Sequence, residues 1–186
     1  MQPISSYALL NVRIMPIDRG EQYEDPLGEA LEESGYGQIT GGGTMQSKEG
    51  EIEYCGLDIE LFDLSKGVSF ICEFLTKQGA PRGSKLQYEI EGKKIEVPFG
   101  EAEGLAIYLN GTDLPDEVYK ECDVNEVVET ISRLLADRGA IQGHWQGPTE
   151  TALYLYGSSF DGMCNLISAF LAEDPLCQRA RVVRIA

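Results

Sequence analysis

The chain has 186 residues, 42% hydrophobic and 25% charged, with 31 acidic against 15 basic side chains for a formal net charge of −16. Such a composition belongs to a folding globular chain and excludes disordered, collagen-like and coiled-coil architectures. Because the acidic excess is shared equally by both halves, the surface repels phosphate backbones and anionic lipid, which argues against nucleic-acid and membrane binding.

Residues 7–15 alternate, with Ala8, Leu10, Val12 and Ile14 on one face and Asn11 and Arg13 on the other, and so predict a first strand. Asp25-Pro26 has the form of an N-cap followed by a first-turn proline; Leu27, Ala30 and Leu31 supply the helical stripe, and Gly35 ends it. Residues 38–46 predict a second strand, and Ser47-Lys48-Glu49-Gly50 turns the chain into a third over 51–62. Within that third strand the apolar phase shifts from Ile52 and Tyr54 to Leu57, Ile59 and Leu61, which predicts a β-bulge at Cys55-Gly56. Asp63 caps the next helix, where Val68, Ile71, Cys72 and Leu75 keep helical spacing up to Gly79 and Pro81. A strand at 85–90 and a hairpin through Glu91-Gly92 to 94–97 complete the first set.

The pattern then restarts after a connector spanning 98–104. Leu105, Ile107 and Leu109 alternate as a strand, and Asp123 caps a helix bearing Val124, Val127, Val128, Ile131 and Leu135, with Gly139 expected to close it. Strands at 141–146 and 151–156 follow. Ser158 or Ser159 caps a last helix carrying Phe160, Met163, Cys164, Ile167, Phe170 and Leu171, which stops at Asp174-Pro175 ahead of a strand at 181–185. A shift of 96 residues lays Asp63 on Ser159, Leu64 on Phe160, Ile71 on Ile167 and Leu75 on Leu171 without a gap. Gly35-Tyr36-Gly37-Gln38 matches Gly139-Ala140-Ile141-Gln142 loosely. Residues 1–98 and 104–186 are therefore two copies of one βαββαβ unit. That element order resembles the ferredoxin-like fold over nearly the whole chain, and implies an α+β protein of two tandem units with antiparallel sheets. The fold itself does not specify a function.

Five cysteines without Cys-x-x-Cys spacing argue against a disulfide framework or a zinc knuckle and suit a reducing, cytoplasmic compartment. The first residues lack a basic segment ahead of an apolar one, so no signal peptide is expected, and no apolar run reaches the roughly 18 residues of a membrane span. Gly41-Gly42-Gly43-Thr44 lies between a helix and a hairpin, the wrong context for a phosphate loop. Tyr7 and Tyr54 could stack on RNA bases, but Glu51, Glu53, Asp58 and Glu60 surround them with negative charge. His144, the single histidine, lies beside the single tryptophan, Trp145, between Gly143 and Gly147, and is the candidate catalytic residue. Without a second histidine or Cys-His spacing, no metal or other cofactor is expected. The acidic run with Asp116 and Glu117, together with Trp145, Tyr154 and Tyr156, forms the candidate binding set. From these residues the leading expectation is a non-catalytic binding or regulatory protein that engages a basic protein partner, for example as a toxin-neutralising immunity protein. The alternative is a small-molecule enzyme or ligand sensor whose cleft between the two sheets is lined by His144, Trp145 and tyrosines.

Overall fold

The structure, a computed structural model, describes residues 3–186. The first sheet is built from β1 (Ile4–Leu10), β2 (Gly37–Gln46), β3 (Ile52–Leu61), β4 (Ser84–Ile90) and β5 (Lys93–Phe99), in the order β2-β3-β1-β4-β5. Helix α1 (Pro16–Arg19), a π-helical turn (Gly20–Glu24) and α2 (Asp25–Ser34) connect β1 to β2, and α3 (Leu64–Lys77) connects β3 to β4. The second sheet contains β6 (Glu103–Asn110), β7 (Gly139–Gln146), β8 (Glu150–Gly157) and β9 (Arg181–Arg184), in the order β7-β8-β6-β9. Helices α4 (Asp116–Glu121) and α5 (Val124–Leu135) lie between β6 and β7, while α6 (Phe160–Glu173) and a 3-10 turn (Pro175–Cys177) lie between β8 and β9. Paired strands are antiparallel throughout both sheets.

Each sheet thus places its second strand outermost, then the third, first and fourth, the ferredoxin-like arrangement. The protein is an α+β chain of two tandem ferredoxin-like units, with β5 added to the edge of the first. Two compact units contain Met1–Ser47 with Ile52–Ala102 and Lys48–Glu51 with Glu103–Ala186. The turn between β2 and β3 is therefore part of the second unit.

Helix faces explain the burial. In the first unit Leu27, Leu31, Ile71 and Leu75 are wholly buried, as are Ala8, Leu10, Leu57 and Leu86 on the strands. In the second, Val127, Ile131, Leu135, Met163 and Ile167 pack with Leu105, Ile107, Leu153 and Leu155 in one core cluster. Asp63 accepts a hydrogen bond from the Lys66 N–H at 3.1 Å, and Ser159 from that of Gly162 at 3.1 Å, so α3 and α6 carry equivalent caps. Both helices are 14 residues long, and Ile71 and Ile167 occupy corresponding buried positions.

Several local expectations are corrected by tertiary structure. Strand β1 stops at Leu10, where the Val12 N–H donates to the Leu10 carbonyl at 2.8 Å and turns the chain out of the ladder. Val12 and Ile14 remain fully buried in the following extended segment, so the apolar alternation outlasts the pairing. The helical run after β1 begins at Pro16, with Asp25 inside it rather than at its cap. A proline inside a helix lacks an N–H and crowds the carbonyl four residues earlier. The wide turn just before Pro26, closed by the Asp25 N–H on the Gly20 carbonyl, makes room for it.

No bulge occurs at Cys55-Gly56, which pair regularly with Leu10 and Leu9. The extra residues are Glu53 on β3 and Thr40 on β2. Gly139 opens β7 instead of ending α5, and Ala136 takes the positive φ of 49° after that helix. This changes the internal match: Gly37-Gln38-Ile39-Thr40-Gly41 corresponds to Gly139-Ala140-Ile141-Gln142-Gly143. Thr40 and Gln142 are the unpaired bulge residues of their strands. A Cβ at Gly37 would stand 2.4 Å from the Glu60 carbonyl oxygen, and one at Gly139 would stand 2.7 Å from Met163 Sδ and 3.1 Å from the Tyr156 oxygen. Close backbone approach requires glycine at position 37, while at position 139 the tightest neighbour is the Met163 side chain.

Candidate docking groove

A groove lies at one end of the second unit, and His144 is among the residues that line it. At the end of β6, the Asn110 Oδ1 accepts from the N–H groups of Thr112 at 3.0 Å and Asp113 at 2.7 Å, forming an Asx turn. Pro115 then stands as the N-cap of α4. Tyr119, on that short helix, accepts from the Leu114 N–H at 3.0 Å and donates to the Asn110 carbonyl at 3.3 Å, which pins α4 to the turn. Asp123 caps α5 by accepting from the Asn125 N–H at 2.8 Å. Opposite these helices stand β7 and β8, where His144 pairs with Leu153 and shares its face.

Between these elements lies a groove of about 700 Å³. Its floor is apolar, made by Leu109, Val128, Ile141, Leu153 and Leu176, with Val124 40% exposed at its mouth. Asn110, Tyr119, Asp123, Asn125 and His144 add polar groups, and Cys122 contributes a thiol. Residues 113–129 carry Asp113, Asp116, Glu117, Glu121, Asp123, Glu126 and Glu129, all exposed, against Lys120 as their sole basic residue.

Strand alternation separates the candidates that adjacency in sequence had joined. His144 faces the helices and this groove, whereas Trp145 lies on the opposite face of β7 with the tyrosines of β8. The Trp145 ring lies over Gly147, and its Nε1–H donates to the Glu49 carbonyl at 3.3 Å. Tyr154 and Tyr156 are 0% and 3% exposed, and the Tyr154 hydroxyl donates to Glu51 Oε1 at 2.8 Å. These two tyrosines are therefore packing groups rather than an open surface. Asp116 and Glu117 are exposed on α4, the helix that contributes Tyr119 to the groove lining, but they are not themselves in that lining. Tyr119, Val124 and Val128 were not singled out from sequence as groove residues. Their signal was an apolar residue at the exposed first position of α5 and an aromatic within an acidic run.

The other thiols are poorly placed for nucleophilic work. Burial pushes Cys72 up to about 11 and Cys177 up to about 12, with the neighbouring Glu73 and Asp174 charges adding to it. Cys55 and Cys164 are raised by burial as well. All five cysteines are free thiols. Among the described residues no group of three ligating side chains could hold a metal ion, and no helix is long and apolar enough to cross a membrane. In the first unit, burial raises the Tyr7 phenol, helped by Tyr54 and Asp58, on the sheet face where its ring covers Gly56.

No family model matches the chain, and no curated protein does so at a significant level. Among solved structures, it is similar to the first two RRM domains of the yeast poly(U) binding protein Pub1, at 12% identity over 97% of this chain and 99% of that one, with a TM-score of 0.28. A candidate monooxygenase from Fusobacterium nucleatum matches at 12% identity over 98% and 91%, with a TM-score of 0.30. An anthrone oxidase-like protein matches at 12% over 94% and 79%, also with a TM-score of 0.30. None of these likenesses bears on activity.

Proposed function

We propose that this is a non-catalytic binding protein whose second unit docks a basic protein partner along α4 and α5. The observation that carries this reading is the set of seven exposed carboxylates from Asp113 to Glu129, which outnumber Lys120 within that segment and the neighbouring Arg133 and Arg179, beside an open groove. A formal charge of −16 steers cationic partners from a distance, and a local acidic face selects where they settle. Neutralising a basic toxin is one concrete form of such a role.

The test uses fluorescent oligolysine and two charge-matched variants. Asp116→Asn/Glu117→Gln/Glu121→Gln is expected to weaken binding about tenfold and flatten its salt dependence. Glu29→Gln/Glu32→Gln/Glu33→Gln, exposed on α2 of the first unit, is expected to change it less than about twofold. Equal losses from the two variants would mean diffuse attraction and no docking face. The groove's volume also falls in the range of small-molecule sites, with His144 in its lining, which favours a ligand sensor or enzyme as a second reading. Under that reading His144→Ala removes ligand binding or turnover and leaves oligolysine binding intact.

A further inference from the structure

We propose that the groove takes an apolar anchor side chain from the basic partner, so that the segment recognised is amphipathic and not merely cationic. This rests on the docking face proposed above and adds the chemistry of the occupant.

Three features of the second unit support it. Leu109, Leu153 and Leu176 are at most 9% exposed, yet they line an open groove with the half-buried Val128 and Ile141, so the unit's core reaches solvent here. Covering such a floor is favourable by about 25 cal/mol per Å² of apolar surface. At its mouth Val124 is 40% exposed although it begins α5, and the hydroxyl of Tyr119 is already held by Leu114 and Asn110. A rim held in place before binding lowers the ordering cost of an occupant. The surrounding charge then selects: carboxylates on α4 and α5 repel an anionic or phosphorylated segment and favour lysine or arginine on either side of the anchor.

The full chain is titrated with three synthetic peptides: Lys/Leu with leucines at helical spacing, Lys/Ser of equal charge, and uncharged Leu/Ser. The Lys/Leu peptide is expected to bind about tenfold more tightly than either of the others. Val124→Trp, which fills the mouth from an exposed position, is expected to bring the Lys/Leu peptide down to the Lys/Ser affinity. In the unmodified protein the Lys/Leu peptide alone is expected to slow alkylation of Cys122, which lines the groove. That second measurement stands even if the tryptophan variant does not fold. Equal affinities for Lys/Leu and Lys/Ser, or an unprotected Cys122, overturn the anchor and leave the acidic docking face standing. Failure of both lysine peptides to bind overturns the docking face itself. Tight binding of Leu/Ser overturns the charge selection and points to an apolar small ligand.

Discussion

Tyr154 donates its hydroxyl to Glu51 Oε1 at 2.8 Å, and Tyr108 donates to the same oxygen at 2.6 Å, which fixes the 48–51 turn on the sheet of the second unit. Hydrogen bonds to a charged acceptor contribute about 1.5–3 kcal/mol each. Tyr154→Phe is therefore expected to lower stability by about that amount in urea unfolding. Glu51→Ala, which deprives both hydroxyls of this acceptor, is expected to cost more. An unchanged urea midpoint in both variants would show that the carboxylate does not hold the turn.

Asp63 and Ser159 occupy the same position in the two units, and each accepts one N–H of its helix's first turn. Replacing either by alanine is expected to cost about 0.5–2 kcal/mol, and glycine only a few tenths, as read from thermal unfolding. A serine-to-alanine change without effect would mean that α6 is held entirely by its packed face.

Gly37 and Gly43 lie on the same strand but face different neighbours. A Cβ at Gly37 meets the backbone of Glu60, whereas one at Gly43 meets nothing within 4 Å. Gly37→Ala is expected to destabilise by about 1–3 kcal/mol, since β2 and β3 would have to part. Gly43→Ala is expected to be close to neutral in the same denaturation assay, and equal effects would refute the close-approach explanation.

Arg181 donates two hydrogen bonds to Glu150, at 2.9 and 2.8 Å, and holds its carboxyl below the ordinary value of 4.5. A lowered folded value means that the unfolded chain binds the proton more readily. The stabilisation is thus present above 4.5 and is lost as pH falls through the lowered value. The pair is largely exposed, so the effect is under about 1 kcal/mol. The difference in melting temperature between the wild-type protein and Glu150→Gln is expected to shrink on acidification, and a difference that grows would reverse the assignment.

Helices α3, α5 and α6 were legible because their signals are local, whereas α1 and α4, short and without a buried residue, were not. Asp63 and Ser159 precede apolar stripes of the right period, and a cap and its stripe need no distant partner to be recognised. The tandem arrangement was visible for the same reason, through the similar capped helix of each unit. Bulges were not legible. The phase change in β3 arises at Glu53, where the partner strand's register shifts, and one strand's sequence cannot reveal that register.

For the candidate site the division is sharper. Composition determined the acidic excess, and adjacency marked Asp116, Glu117, His144 and Trp145 as residues of interest. Only tertiary structure decided which of them belong together. A strand sends successive side chains to opposite faces, so His144 joined the α4–α5 groove while Trp145 went to the face of Tyr154 and Tyr156. Burial then distinguished groups that look alike in sequence: the tyrosines of β8 are packed away, and Tyr119 stands 36% exposed at the groove. Periodicity and charge are properties of a segment and survive in the sequence alone. Exposure, register and shared cavities depend on what distant segments bring, and the fold determined them.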